Sequence, residues 1–263
     1  MKNTIAVKAV LALGASLLAA CGDQDPSSTI PTNQFYARFV AETREDGMSR
    51  LTATFLQDED WFLYEGVYLD GGDTLIFRTR DNSVELPGGA NFFEAELLSG
   101  ILENTRFEFD LQRPVHADAP DSYGTLPAPM DVLIPEPGQE YSVENDPLAV
   151  AWTDPGTLDD MWLRVEADCR QPDGDDYWYL DEDFTSDIPG DPGAYAVKLS
   201  DYLFLESECE RYEATVTLYR ARAGTLDQAY APIEDQCKEN NSCRYLGYVS
   251  IRQVRSVPIV LTP

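Results

Sequence analysis

The chain has 263 residues, of which 47 are acidic and 19 basic, for a formal net charge of −28. A surface this negative repels nucleic acid and anionic headgroups through the same long-range field, so nucleic acid is excluded as a partner. The length allows one large or two modest domains, and no later stretch is apolar for long enough to form a membrane-spanning helix.

Lys2 and Lys8 form a positive start, and Ala9 to Leu18 is apolar but too short to cross a bilayer. Leu18-Ala19-Ala20-Cys21 comes next and resembles the lipobox of bacterial lipoproteins. That resemblance implies a signal peptide over 1–20, cleavage before Cys21, and a diacylglycerol and an acyl chain on that cysteine. The protein would then be held on a membrane through lipid. Residues 21–33, with Pro26, Ser27, Ser28 and Thr29, read as a flexible tether that spans about 40 Å when extended. In enterobacterial members of that family an Asp behind the lipid cysteine favours inner-membrane retention, so the resemblance implies from Gly22 an outer-membrane protein facing the periplasm or the surface, while Asp23 leaves the inner membrane open.

Period-two alternation dominates the chain from Gln34 onward, as half-buried strands require. Phe35, Ala37 and Phe39 share one phase, as do Leu51, Ala53 and Phe55, and Phe107, Phe109 and Leu111. Turn signals such as Asp70-Gly71-Gly72-Asp73 and Pro87-Gly88-Gly89 separate them. These patterns predict a β-sandwich over 34–113. The Pro- and Ala-rich stretch 114–128 predicts a stiff linker. Alternation then resumes over 129–263, in Leu148, Val150 and Trp152, in Leu163, Val165 and Ala167, in Tyr195, Val197 and Leu199, and in Tyr212, Ala214, Val216 and Leu218. The fold class expected is all-β, with two sandwiches in tandem after a tether.

Leu148-Ala149-Val150-Ala151-Trp152 resembles the second strand of fibronectin type III and immunoglobulin-like domains, whose Trp plugs the core. Leu163-Arg164-Val165-Glu166 is similar to the next strand. Tyr212-Glu213-Ala214-Thr215-Val216 resembles the strand that opens with the tyrosine corner, and Ser256 to Thr262 the last one. The acidic insertion over 177–193 and the Cys-bearing one over 224–245 depart from that family. The halves also echo each other: Leu51 to Phe55 matches Leu148 to Trp152, and Leu111-Gln112-Arg113 matches Leu218-Tyr219-Arg220.

Beyond Cys21, the remaining cysteines are Cys169, Cys209, Cys237 and Cys243, which an oxidising compartment would pair as disulfides. Of three pairings, Cys237 with Cys243 is favoured because it closes a polar loop, leaving Cys169 with Cys209. In the chain-entropy model these contribute about 2.4 and 3.9 kcal/mol. A four-Cys zinc site would need two close pairs, and Cys169 and Cys209 stand apart.

His116, the one histidine, falls in the linker and reads as a solvated loop residue, which leaves little for a Ser-His-Asp arrangement. Phosphate-binding glycine motifs are absent. Asp173, Asp175, Asp176, Asp181, Glu182, Asp183, Asp187 and Asp191 crowd one stretch, which makes Ca2+ the one cofactor the composition suggests. None sits in an EF-hand register, so no metal ligand is assigned. For ligand contact the candidates are Tyr177, Trp178 and Tyr179, aromatic rings among carboxylates that suit a sugar or a partner protein. Trp152 and Trp162 are placed near the core by their strands, and Trp61 caps a loop or lies exposed. The expected function is a lipid-anchored cell-envelope protein, non-enzymatic, in protein interaction or structure. The alternative is a carbohydrate-binding or carbohydrate-cleaving surface protein.

Overall fold

A computed structural model describes residues 26–60, 63–87, 92–169, 180–203, 211–230 and 247–263. Among these the chain is all-β, with three single turns of 3-10 helix. The first half carries β1 (Tyr36–Thr43), β2 (Met48–Asp60), β3 (Leu63–Gly66), β4 (Thr74–Arg78), β5 (Ser83–Pro87), β6 (Phe92–Leu98), β7 (Arg106–Gln112) and β8 (Ala119–Thr125). The second carries β9 (Val132–Ile134), β10 (Glu140–Ser142), β11 (Pro147–Trp152), β12 (Asp160–Cys169), β13 (Leu180–Ile188), β14 (Ala194–Lys198), β15 (Tyr212–Ala223) and β16 (Tyr248–Thr262).

Among the described residues, and without the short β3 and β10, each half has seven strands in the same order. The first, second and fifth form one sheet, β1-β2-β6 and β9-β11-β14, and the other four form the facing sheet, β5-β4-β7-β8 and β13-β12-β15-β16. This is an immunoglobulin-like division of strands. The halves are not beads on a string, because β16 pairs in parallel with β1, Arg38 opposite Tyr248 through Thr43 opposite Gln253. One sheet of nine strands therefore runs through the molecule and supplies a wall to both sandwiches.

Alternation explains why these segments are strands. In the first core Phe39 stacks on Phe109 at 4.8 Å across the layers, and Phe77 meets Phe109 edge-on at 5.5 Å. In the second, Trp152, Leu163, Val165, Val216 and Leu218 are buried together. The last strand serves both cores: Val249 and Ile251 join the first, and Val257, Ile259 and Leu261 the second.

Between the cores the inward row of the long sheet turns polar, since Arg220, Gln253, Thr43 and Ser49 lie in register. Such groups stay buried only if hydrogen-bonded. The Arg220 guanidinium, fully buried, donates to the carbonyls of Ala128 and Pro129 at 3.1 Å each and to Asp191 at 3.0 Å. Gln253 donates to the carbonyls of Ile101 and Pro127, and the Thr43, Ser49 and Ser99 hydroxyls form a chain. The crossing between halves is thus bolted to the sheet by side chains.

Three stretches differ from the sequence-based expectation. The tether of 21–33 is packed from Pro26 onward, with Ser27 and Thr32 buried and Ile30 in the first core. Here the hydroxyls of a flexible-looking sequence find the acidic turn 70–73. The linker of 114–128 contains β8, which pairs with β7 and completes the facing sheet. Its inward residues, Ala119, Ser122 and Gly124, are small because Ile251 packs against it, leaving 2.4 Å for any Cβ at position 124. The first sandwich therefore does not end at Arg113 but borrows residues up to Ile251. His116 is half-buried rather than solvated, with Nε2 3.0 Å from the Ser28 carbonyl oxygen.

Candidate functional site

Most residues singled out from the sequence lie outside the described residues: Cys21, Cys209, Cys237 and Cys243, the aromatic run Tyr177, Trp178 and Tyr179, and Trp61. Cys169 ends β12, opposite Leu180 and Tyr212 in the ladders, but its side chain is likewise outside them. Among the described residues no group of three His, Cys, Asp or Glu could hold a metal ion. Of the acidic stretch, Asp183 is paired with Arg164 and Asp191 with Arg220.

The long sheet has a second face, turned away from both cores. Strand alternation puts Trp162, Arg164 and Glu166 of β12 there, beside Asp183 and Thr185 of β13, Thr217 and Tyr219 of β15, and Arg252, Val254 and Ser256 of β16. Glu42 of β1 and Arg50 of β2 continue the surface onto the first sandwich. Together these residues line a shallow groove that crosses the seam between the halves.

At its centre the rings of Trp162 and Tyr219 lie parallel, 5.0 Å apart and 10° from coplanar. The Arg252 guanidinium sits over Trp162, 5.0 Å from its centroid, a cation–π contact. Trp162 was expected near the core; it is half-exposed on the outer face. Its own strand carried the signal: Met161, Leu163 and Val165 are buried, and a residue out of phase with them must point outward. Trp152, in phase with Leu148 and Val150, is in the core, its indole N–H donating to Asp191 at 2.6 Å.

Ion pairs within and between strands surround the rings. Arg252 meets Glu42 at 2.9 Å, Arg50 meets Glu94 at 2.7 Å, and Arg164 reaches both Glu166 and Asp183 at 3.0 Å. Hydrogen bonding to Glu94 raises the Arg50 guanidinium above its ordinary value. Burial, the largest single influence, would lower Arg164, but its hydrogen bond to Asp183 together with the charges of Glu166 and Asp183 raises it. Burial pushes the Tyr219 phenol up, and the charge of Glu42 adds to this, so the ring stays a neutral hydroxyl at physiological pH. Each pair contributes little to stability in water. What the lattice does is hold long side chains in fixed places on rigid strands, beside a neutral aromatic platform.

No family model matches the chain, and no curated relative matches it. Among solved structures, CBD12 from CALX1.2 is 9% identical with a TM-score of 0.21, over 87% of this chain and 100% of that one. The calcium binding domain CBD12 of CALX1.1 is 10% identical with a TM-score of 0.19, over 86% and 99%. Extracellular domains 3–5 of Drosophila OTK are 14% identical with a TM-score of 0.20, over 86% and 65%. Likeness at this level transfers no site, and the all-β architecture stands on the strand pairings described above.

Proposed function

We propose that the chain is a non-enzymatic, lipid-anchored protein of the cell envelope, tethered through Cys21, that binds a partner protein with the open face of its long sheet. The observation that carries this reading is the Trp162–Tyr219–Arg252 cluster. Trp, Tyr and Arg are the residues that dominate binding energy at protein interfaces, and here they sit together at the centre of a shallow groove. Because strands and ion pairs already fix them, little side-chain entropy remains to be lost on association. The charge balance also favours approach: on a chain of net −28, this face sets Arg50, Arg164 and Arg252 among its carboxylates. A binding role rather than catalysis is supported by the ion pairing of Glu42, Glu166 and Asp183, which leaves these carboxylates poorly suited to act as a general acid or base.

The test is photo-cross-linking in cells from a photoreactive residue at Thr185, exposed on β13 beside the rings. A discrete protein adduct is expected, lost when Trp162→Ser and Arg252→Ala are combined. Absence of any protein adduct from this face, together with retention of the purified protein on glycan columns, would overturn the reading in favour of carbohydrate binding.

A further inference from the structure

The seven residues from Pro26 to Thr32 are fastened to one end of the first sandwich. Pro26 bridges to Tyr68, and the Ser27 amide donates to the Tyr68 carbonyl at 2.8 Å. The Ser27 hydroxyl donates to Asp73 at 2.6 Å, and the buried Arg113 reaches Asp73, Thr32 and the Ser27 carbonyl. Thr32 donates to the Ala117 carbonyl, and His116 contacts the Ser28 carbonyl. Segments 26–32, 68–73 and 113–118 thus form one structured pole.

We propose that this pole is a membrane-contact surface, seated on the phosphoglyceride headgroups of the bilayer that holds the lipid of Cys21; it rests on the anchor proposed above. Cys21 and Pro26 are five positions apart, so even a fully extended chain places the pole within about 17 Å of the lipidated residue. A tether that short keeps the folded body against the headgroup layer. Three carboxylates, Asp70, Asp73 and Asp118, share the pole with the Arg113 guanidinium, so it meets that layer through the ammonium groups of phosphatidylethanolamine and through two exposed side chains. Val115 and Tyr68 are 66% and 36% exposed there, an apolar side chain and a ring of the kind that partitions to the membrane interface. Asp70 accepts from the Ser28 amide at 2.7 Å and from the Ser28 hydroxyl, and Asp73 is ion-paired with Arg113. Asp118, the more exposed one, accepts from the Arg113 amide.

The placement orients the molecule. Tyr248 opens β16 opposite Arg38, near the pole, and Leu261 lies about 43 Å further along the strand. The row of Cys169, Leu180, Tyr212 and Leu261 therefore marks the end away from the membrane. Trp162, Tyr219 and Arg252 then stand part-way up the molecule, about 13–20 Å beyond Tyr248 along the strand, open sideways to a neighbour in the envelope.

The experiment uses the acylated chain in phosphatidylethanolamine–phosphatidylglycerol vesicles doped with a lipid that carries a photoreactive group on its headgroup. Cross-linked peptides are mapped by mass spectrometry. Label is expected on peptides containing Tyr68 and Val115 and not on those containing Tyr141 or Leu261. Val115→Asp, at an exposed position, should keep its acyl mass and lose most of that label. Acyl mass on Cys21 with label spread evenly, or concentrated on the far end, would overturn the contact surface and leave the anchor standing. No acyl mass on Cys21 would overturn both.

Discussion

Asp191 shows how much one buried carboxylate holds. It accepts from the Trp152 indole, from Thr157 and from the Arg220 guanidinium, whose Nη1 grips the crossing between halves at the Ala128 and Pro129 carbonyls. Burial alone would raise its carboxyl, but hydrogen bonds from Thr157 and Trp152 and the charge of Arg220 hold it below its ordinary value. The native state therefore takes up that proton less readily than the unfolded chain. The stability it contributes is complete above the ordinary carboxylate value of about 3.9 and is lost as pH falls through the lower folded value. Asp191→Ala leaves Arg220 buried without its counter-charge, at an expected cost of about 3–5 kcal/mol in denaturant titrations at neutral pH. The variant should also lose less stability on acidification below about pH 4 than the parent. The two tryptophans make a second test at this scale. Trp152→Ala should cost about 3–5 kcal/mol, whereas Trp162→Ala, which removes only an outward stack, should cost about 1 kcal/mol. Equal losses in the two variants would place Trp162 in a core after all. In the sequence, Arg113 and Arg220 stood out as matching ends of two Leu-x-Arg runs. Their partners, Asp73 and Asp191, were two among 47 acidic residues, and nothing local distinguished them.

At the scale of elements, strands with large apolar residues in one phase were legible, including β1, β2, β7, β11, β12 and β15. β8 was not, because its inward positions are Ala119, Ser122 and Gly124, and Pro120 reads as a breaker. A strand packed this closely needs small side chains, and small side chains carry no hydrophobic period. Gly124→Val would drive its Cβ into Ile251 and should destabilise the protein by about 1–3 kcal/mol, read as a lower thermal midpoint. An unchanged midpoint would mean that β8 does not press on the last strand. The open-face cluster was equally hidden: Trp162, Tyr219 and Arg252 come from three strands up to 90 positions apart, and only the register brings them together.

For the whole molecule, two sandwiches were readable from the sequence, and their matching strand order agrees with the echo between Leu51–Phe55 and Leu148–Trp152, which occupy β2 and β11, the second strand of each half. Their fusion was not readable, since parallel pairing of β1 with a strand some 210 positions later leaves no local trace. Fusion has a thermodynamic consequence. With β16 in both cores, neither half can lose its wall alone, so calorimetry should record one transition whose calorimetric and van't Hoff enthalpies agree. Two resolved transitions would mean that the halves are independent. The same continuity gives the protein one long face, which a membrane tether would hold by one end, rising from the bilayer. Tethering itself is tested most directly by the mass of the amino-terminal peptide of protein purified from membranes. The predicted peptide begins at Cys21 and carries diacylglycerol and an amide-linked acyl chain; one that begins at Met1, with Cys21 free of lipid, would contradict it.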